Sequence, residues 1–265
     1  MKVGYIQNYP ENGNKEANFQ QVEKILGDRK ADLIVLPELF ATGYIFENTD
    51  EVRQLSEDFT GETTQFLYKM ARKTGATMVG GFVEFGEGKA FNSVACVSAD
   101  GLVGSYRKIH LYGREKKWFS PGNKPLHVLE IGEENDWVIG PMICFDWVFP
   151  EVARSLALLG ADIITHSANL ILPYCQAAMI TRSLENRIFT ITANRIGREQ
   201  KAGLDLSFTG KSQIVNPNGE ILSTAPLDEE YIDIVEIDVE LAHDKQFTSM
   251  NHLFQDRRPQ FYHLR

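Results

Sequence analysis

The residue of this sequence best suited to nucleophilic chemistry is Cys144, which follows an apolar run beginning at Trp137. Pro150 and Glu151 then fit the first turn of a helix, because proline needs no N–H donor there and the positive helix end favours a carboxylate. The pattern predicts a strand-to-helix turn that directs the sulfur toward backbone amides and a helix N-terminus. Such a setting lowers the pKa of a thiol and makes it a nucleophile. A buried, inert cysteine is the alternative interpretation.

Three charged residues are candidates to serve this cysteine. Glu38 directly follows a buried-strand pattern, where burial would raise the pKa of its carboxyl toward the range of a general base. Lys108 lies in an alternating stretch and shares a strand face with Tyr106 and His110. Glu115 follows shortly after and would hold a buried lysine charged and oriented. For each of the three, an ordinary salt-bridged or solvated surface charge is the alternative.

The elements that must position these residues alternate between helix and strand. Continuous apolar runs are typical of strands buried on both faces, and spacing near 3.6 residues is typical of helices. The order predicts parallel and antiparallel pairs in two half-domains with helix–sheet layers. The predicted strands are residues 2–7, 32–37, 77–85, 91–98, 103–106, 137–143, 162–165, 189–194, 211–215, 220–223 and 231–237, and the predicted helices are 14–28, 62–75, 149–159 and 176–186.

The composition indicates a soluble globular protein. The 265 residues form one apolar core of ordinary size, and no linker divides them, so residues 1–265 are predicted to be a single domain. A formal net charge of −9, from 27 basic and 36 acidic side chains, disfavours nucleic acid or an anionic membrane as the main partner. No apolar run has the length of a membrane span, and the first residues predict a strand and no signal peptide.

The cysteines and the C-terminal segment carry two further expectations. Three cysteines without a CxxC motif suit free thiols in a reducing cytoplasm. The tail, residues 244–265, is rich in aromatic side chains, which predicts that it docks on the body or on a second subunit. These aromatic residues are Phe247, Phe254, Phe261 and Tyr262.

Several common functional motifs are absent from the sequence. Gly210-Lys211-Ser212 ends like a phosphate-binding loop, but Asp205 stands where that motif needs glycine. HExxH, GxSxG and a GxGxxG that opens a helix do not occur. The six histidines show no zinc-ligand spacing. The sequence therefore gives no support for a metal site, a nucleotide-binding site or a serine-hydrolase site.

The combination of motifs resembles the nitrilase, or carbon–nitrogen hydrolase, superfamily, and within it most resembles thermoactive archaeal nitrilases and bacterial amidase-like relatives. The likeness runs over essentially the whole chain in the expected order. The matching pieces are residues 36–44 (LPELFATGY), 106–111 (YRKIHL) with Glu115 and Phe119, 142–154 (MICFDWVFPEVAR), 160–162, 182–186, 193–197 and 216–219.

The resemblance implies an αββα sandwich of two similar halves that assembles into dimers or larger oligomers. It implies a triad of Glu38 as base, Lys108 as oxyanion stabiliser and Cys144 as nucleophile, with Glu115 positioning the lysine or the substrate. The resemblance also implies that the backbone N–H of Phe145 is the second oxyanion donor. No metal or organic cofactor is needed for this chemistry.

The expected reaction is hydrolysis of a small amide to an acid and ammonia through a cysteine thioester, with a small aliphatic nitrile or an N-carbamoyl amine as alternative substrate. Phe145-Asp146 after the cysteine favours amides, since plant-type nitrilases usually have Trp-Glu there. Residues expected to contact the substrate are Tyr44, Trp118, Trp147, His166 and Asn169. Core packing is the alternative for His166 and for the aromatic residues.

Two other functional classes remain open from the sequence. One is a papain-like hydrolase that uses His110 or His166 as the base, and it predicts that Lys108→Ala is tolerated. The other is a non-catalytic binding protein that kept the fold. That class would most readily have lost a triad member, and none is lost here.

Overall fold

Two facing sheets carry the turns on which the candidate residues lie in the computed structural model, which describes residues 1–132 and 136–263. The strands are β1 Lys2–Gln7, β2 Leu33–Val35, β3 Thr77–Gly86, β4 Lys89–Ser98, β5 Gly101–Arg107, β6 Leu129–Ile131, β7 Trp137–Ile143, β8 Ile163–Ser167, β9 Phe189–Ala193, β10 Arg198–Lys201, β11 Leu204–Ser207, β12 Gln213–Val215, β13 Ile221–Thr224, β14 Tyr231–Glu236, β15 Gln246–Thr248 and β16 Asn251–His252. The α-helices are α1 Lys15–Leu26, α2 Thr49–Leu55, α3 Glu62–Thr74, α4 Glu115–Trp118, α5 Pro150–Leu158 and α6 Cys175–Asn186, and 3₁₀ turns cover Cys144–Val148, Val239–Ala242 and Pro259–Phe261.

Each large sheet has six strands with a parallel centre. The first has the order β14-β1-β2-β3-β4-β5, in which β1, β2 and β3 are parallel and the other pairings are antiparallel. The second has the order β13-β12-β9-β8-β7-β6, in which β7, β8 and β9 are parallel. The predicted mixture of parallel and antiparallel pairs is therefore confirmed.

The layers follow from which side chains are buried together. Helices α1 and α3 pack on the outer face of the first sheet through a cluster that includes Val22, Leu67 and Phe82. The second sheet packs between the first sheet and α5 and α6, in a cluster that joins Val35 to Ile139 and Leu156. The predicted four-layer αββα sandwich of two similar halves is confirmed.

Local chemistry explains most element boundaries. The side chain of Asn14 caps α1 by accepting from Ala17 N at 3.2 Å, and Gly75 ends α3 in the left-handed region at φ 82°. Strand β2 is shorter than predicted. Leu36 N still donates to Val79 O, but the ladder stops there because Pro37 has no N–H to donate. Helix α2 and the hairpin β10–β11 were not predicted, since both are short.

The C-terminal segment is partly packed and partly exposed. The ring of Phe254 contacts the core cluster, with the Arg154 guanidinium carbon 5.4 Å and Lys245 Nζ 5.3 Å from its centroid. Phe247 and Phe261 are exposed. Among the described residues, no helix combines the length and the apolar character needed to cross a bilayer.

Candidate active site

The candidate residues lie on turns that leave the ends of strands in both sheets. Glu38 follows β2 and Lys108 follows β5 in the first sheet, whereas Cys144 follows β7 and Asn169 follows β8 in the second. Glu115 begins the short helix α4. The packing of the two sheets against each other brings these turns together in the interior.

Lys108 is the centre of a buried cluster of charges. Its Nζ donates to Oε1 of Glu38 at 2.6 Å and to Oε1 of Glu115 at 2.8 Å, and none of the three side chains is exposed. Burial pulls the pKa of the Lys108 ammonium down, but the two carboxylates more than offset it and hold that pKa well above its ordinary value. The lysine is therefore a fixed positive charge.

Glu38 keeps one carboxylate oxygen available. Its Oε1 accepts from Lys108 and from Nδ2 of Asn92 at 2.6 Å, while Oε2 has no hydrogen-bond partner among the described residues. Burial raises the pKa of the Glu38 carboxyl, against the opposing effect of Lys108. A buried carboxylate with a raised pKa and an unpaired oxygen is suited to accept a proton.

The turn that carries Glu38 needs a glycine beneath it. Leu39 has φ 51°, and β3 passes so close that a Cβ on Gly81 would lie 2.5 Å from the Leu39 nitrogen and 2.7 Å from the Glu38 Cα. Only a residue without a side chain permits this approach. The position of the carboxylate is thus set by backbone packing.

Glu115 is held from three sides. Besides Lys108, its Oε1 accepts from the hydroxyl of Tyr44 at 2.6 Å, and its Oε2 accepts from Tyr112 N at 3.1 Å. Tyr44 was predicted to contact the substrate, and in the structure its hydroxyl supports the charge cluster through Glu115. Its ring is buried against the edge of Phe208, with centroids 6.0 Å apart.

Cys144 lies on a strained turn beside these charges. Its φ is 41°, a left-handed value that costs energy for a residue with a side chain, and its Sγ lies 3.8 Å from the carbonyl oxygen of Asn169. Such an outlier is typical of functional positions, where surrounding packing holds it in place.

The expected lowering of the Cys144 thiol pKa is wrong. Burial raises the pKa of this thiol well above its ordinary value, Glu38 adds to the effect, and Lys108 only partly opposes it. The residue begins a 3₁₀ turn, and α5 starts only at Pro150, so Cys144 does not lie in the first turn of that helix. At rest the thiol keeps its proton, and a base must remove it.

Asp146 fixes the cysteine turn, a role that the sequence did not reveal. Its Oδ2 accepts from Ile143 N at 3.1 Å and from the Tyr106 hydroxyl at 2.8 Å, and its Oδ1 lies 2.7 Å from Nδ1 of His110. The carboxylate is fully buried. A buried acidic residue just after a candidate nucleophile is the signal that would have pointed to it.

Neither histidine of the papain-like alternative contacts the sulfur. His110 binds Asp146, and its ring stacks on Phe149 with centroids 3.7 Å apart. His166 is fully buried, with Nε2 3.0 Å from the Cys144 carbonyl oxygen and Nδ1 3.2 Å from the Thr192 hydroxyl. Burial lowers the pKa of His166 to about 4, so its ring is neutral. His166 was expected in the pocket wall, but the structure places it in the core.

A pocket of about 210 Å³ opens at Cys144. Among the predicted substrate contacts, Trp147 and Asn169 line it, and Phe145 also lies in its wall. Trp118 does not line this pocket, since it packs edge-on against Phe46 with centroids 5.6 Å apart in a separate core cluster. Its position next to Glu115 in the sequence suggested the site, but its apolar face is used for packing.

A second buried ion pair lies behind Tyr44. Glu199 accepts from Tyr44 N at 3.1 Å and from Ile45 N at 2.8 Å, and it pairs with the fully buried Arg195. The Arg195 guanidinium carbon lies 4.0 Å from the Phe208 ring centroid. The pair fixes the backbone of the segment that carries Tyr44. Its link to Tyr44 was not predicted, because Tyr44 and Glu199 are 155 residues apart in the sequence.

Comparisons with known proteins identify the family of the chain. A family model described as carbon-nitrogen hydrolase matches residues 2–246. The chain is 44% identical over 266 residues to a protein named nitrilase from Pyrococcus abyssi, covering 99% of both, and 33% identical over 248 residues to an (R)-stereoselective amidase from a Pseudomonas species, covering 91% of this chain and 86% of the relative. A carbon-nitrogen hydrolase from Helicobacter pylori has the same fold, with a TM-score of 0.86 at 25% identity over 99% of this chain and 96% of that one. The chain therefore belongs to the carbon–nitrogen hydrolase family, in the nitrilase superfamily of nitrilase- and amidase-type enzymes.

Proposed function

We propose that this enzyme hydrolyses a small amide to a carboxylic acid and ammonia, with Cys144 as nucleophile, Glu38 as general base and Lys108 as oxyanion stabiliser. The observation that carries the proposal is the contact of one buried ammonium with two buried carboxylates beside a buried thiol. In this arrangement the base has one oxygen without a hydrogen-bond partner in the part of the chain that the structure describes, and the charge that would stabilise an oxyanion is already in place.

The first half of the reaction forms a thioester. Oε2 of Glu38 takes the Sγ proton, and the sulfur electron pair forms a bond to the amide carbon while the carbonyl pair moves onto oxygen. The Lys108 ammonium and the backbone N–H of Phe145 stabilise that oxyanion, and one such donor commonly contributes roughly 3–4 kcal/mol to lowering the barrier. The carbonyl then reforms, the C–N bond breaks, and nitrogen takes the proton from Glu38 and leaves as ammonia.

The second half hydrolyses the thioester. A water molecule gives a proton to Glu38 and attacks the thioester carbon, and the same two donors stabilise the second oxyanion. The C–S bond then breaks, the acid leaves, and the sulfur recovers its proton from Glu38. Glu115 holds Lys108 in place through both halves. No cofactor enters this scheme, and the expectation that none is needed stays a prediction.

A nitrile is the second candidate substrate. The name of the 44% identical relative, nitrilase, favours it, and the same thiol would add to a nitrile carbon. Asn169 suits either substrate as a neutral hydrogen-bonding neighbour of the thiol, since its side-chain oxygen and nitrogen have no protein partner within the described ranges. An N-carbamoyl amine remains the third alternative.

Ammonia release over a panel of small amides, aliphatic nitriles and N-carbamoyl amines tests the proposal. We expect turnover of at least one uncharged amide by the wild-type protein and none by Cys144→Ser. A panel without any turnover, from protein whose folding is confirmed by circular dichroism, would favour a non-catalytic binding role. Activity on nitriles alone would favour the second candidate.

We also propose that the protein acts on its small-molecule substrate in the cytoplasm as a homo-oligomer, at least a dimer. Three free cysteines support a reducing compartment. Exposed apolar side chains on the C-terminal segment, such as Phe247 and Phe261, support a further packing surface. Sedimentation velocity at micromolar protein tests the assembly, and a species near 30.0 kDa would contradict it.

A further inference from the structure

The pocket at Cys144 has walls of one chemical kind. Apolar side chains come from the turn after the cysteine and from the loop after β8, and no Asp, Glu, Lys, Arg or His of the described chain lines the pocket. Besides the thiol of Cys144, the polar groups in its wall are the hydroxyls of Tyr112 and Tyr174 and the amide of Asn169, none of which is an acid or base like those side chains. The apolar wall residues are Phe145, Trp147, Val148, Leu170, Ile171 and Leu172.

The charged side chains close to the pocket form ion pairs with each other, although Oε2 of Glu38 and Nε of Arg182 have no hydrogen-bond partner among the described residues. Lys108 bridges Glu38 and Glu115. Arg182, which lies behind the pocket wall, donates to Oε1 of Glu185 at 2.9 Å and to the carbonyl oxygen of Trp147 at 3.4 Å. A charged group on the acyl chain of a substrate would find no counter-ion in the wall.

The outer part of the pocket is apolar and exposed. Tyr174, Leu172 and Val148 are 62%, 44% and 38% exposed, although they belong to the same wall as the buried Leu170. Apolar side chains grouped at a cavity mouth mark a binding surface for an apolar ligand. The wall therefore continues outward from the thiol without a change in chemistry.

We infer that the substrate of this enzyme carries an uncharged, apolar acyl group that lies between the loop after Cys144 and the loop containing Leu172. The inference rests on the proposed function and narrows its substrate class. Moving a charge from water into this pocket has a large desolvation penalty that no wall residue offsets. Burying each further methylene group of the acyl chain is favourable.

A matched panel of amides tests the inference by ammonia release. The uncharged members run from acetamide to pentanamide. The charged members are the anion succinamate and the cation 4-aminobutanamide, which are close to pentanamide in length. We expect kcat/KM to rise about fourfold with each added methylene while the chain stays in the pocket. Pentanamide should exceed both charged amides by at least about a hundredfold.

A charge placed in the wall should reverse part of this preference. Leu172→Asp puts a carboxylate on an exposed loop position of the pocket mouth. It should raise the kcat/KM ratio of 4-aminobutanamide to pentanamide by at least about tenfold. Leu227→Asp is the matched control, because Leu227 is an exposed loop leucine outside this pocket and should leave the ratio unchanged.

The outcomes separate the inference from the function on which it rests. A charged amide turned over within about tenfold of pentanamide would overturn the inference and leave amide hydrolysis in place. An unchanged ratio in folded, active Leu172→Asp would also overturn it. No ammonia from any amide in the panel would overturn the amide function, and the inference with it.

Discussion

The two halves of the sandwich share one plan but contribute different chemistry. Both run strand, helix, strand, helix and then three strands, from β1 to β5 and from β7 to β13, apart from the inserted helix α2 and hairpin β10–β11. Even a local detail repeats: Oδ2 of Asp32 accepts from Lys2 N at 2.6 Å, and Oδ2 of Asp162 accepts from Val138 N at 2.9 Å. The halves can therefore be compared position by position.

Counted from these paired residues, Asn8 in the first half corresponds to Cys144 in the second, and Ala168 corresponds to Glu38. The first half thus supplies the base at its second strand end, and the second half supplies the nucleophile at its first. The side chain of Asn8 donates from Nδ2 to Oε1 of Gln21 at 3.0 Å, and Ala168 is buried in the core. A shared frame does not make a site; the site exists where unlike ends of the two halves meet.

The largest loss of activity is expected from changes at Cys144, and the same change at Cys96 of the first half is the comparison. Cys144→Ala and Cys144→Ser should abolish ammonia release, because no other group in the site can form the thioester. Cys96→Ala, in β4 of the first half, should keep most of the activity. Thermal unfolding of each variant checks folding, and normal turnover by folded Cys144→Ala would end the hypothesis of cysteine catalysis.

The next effect concerns the base that the first half supplies. Glu38→Gln keeps the shape of the side chain but removes the proton acceptor, so kcat should fall about a hundredfold to ten-thousandfold. In the wild type, the raised pKa of Glu38 means that the base becomes protonated at a higher pH than an ordinary glutamate. Activity should therefore fall with decreasing pH already above the ordinary glutamate range.

The pH profile of kcat/KM measures this limb. A limb at or below the ordinary glutamate pKa of about 4.3 would contradict the assignment of Glu38 as a base with a raised pKa. Glu57→Gln, in the first half but outside this cluster of charges, is a control that should leave the limb in place.

Lys108 tests whether the first half also supplies the oxyanion charge. Lys108→Ala should lower kcat at least about a hundredfold with a smaller change in KM, because a neutral amide gains charge only in the transition state. Lys108→Arg should rescue little, since a planar fork does not fit a site built for a compact ammonium. Glu115→Gln should be milder, because it only loosens the lysine. Retention of more than roughly a tenth of kcat by folded Lys108→Ala would end this role.

A smaller effect is expected from changes at Glu199 of the second half, which accepts from the backbone of Tyr44 in the first half. Glu199→Gln and Tyr44→Phe should each lower kcat by about tenfold or less, because both loosen Glu115 without touching the substrate. Since they act along one chain of contacts, the double variant should lose less than the sum of the two free energies. Additive losses in kcat would show that Glu199 has only a general structural effect.

The smallest effect compares the repeated aspartates themselves. Asp162→Ala should lower the free energy of unfolding by about 1 kcal/mol, because the side chain is 6% exposed and also contacts Nε2 of His243 at 3.0 Å. Asp32→Ala should cost less, since water can replace its bond to the exposed Lys2. Urea unfolding midpoints measure both, and a larger loss for Asp32→Ala would break the expected asymmetry.

The sequence was sufficient for the features that are local in the chain. The two sheets follow from apolar runs. Glu38, Lys108 and Cys144 became candidates because they lie next to predicted strands, and their roles as a triad were expected from the resemblance of the surrounding motifs to the carbon–nitrogen hydrolases. Contacts between distant segments were not accessible: Tyr44 to Glu199 and Asp146 to Tyr106 join residues whose neighbours in sequence give no signal. Trp118 was misplaced because an aromatic residue beside a motif can equally serve the core.

The prediction that the pKa of the Cys144 thiol is lowered was wrong for the same reason. A strand-to-helix turn is visible in the sequence, but the two carboxylates that approach Cys144 through space are not. The burial of the sulfur, together with the charge of these carboxylates, outweighs the effect of Lys108, which favours the thiolate. Only the assembled structure shows which contribution is larger.

The proton retained by Cys144 also bears on the durability of the protein. Peroxide and general alkylating agents react with thiolates, so a sulfur whose pKa is raised by burial is a poor target for them. Damage by oxidants should then be slow even though this cysteine is the nucleophile. An effective covalent inhibitor would have to enter the pocket as a substrate does and react with the sulfur as Glu38 takes its proton.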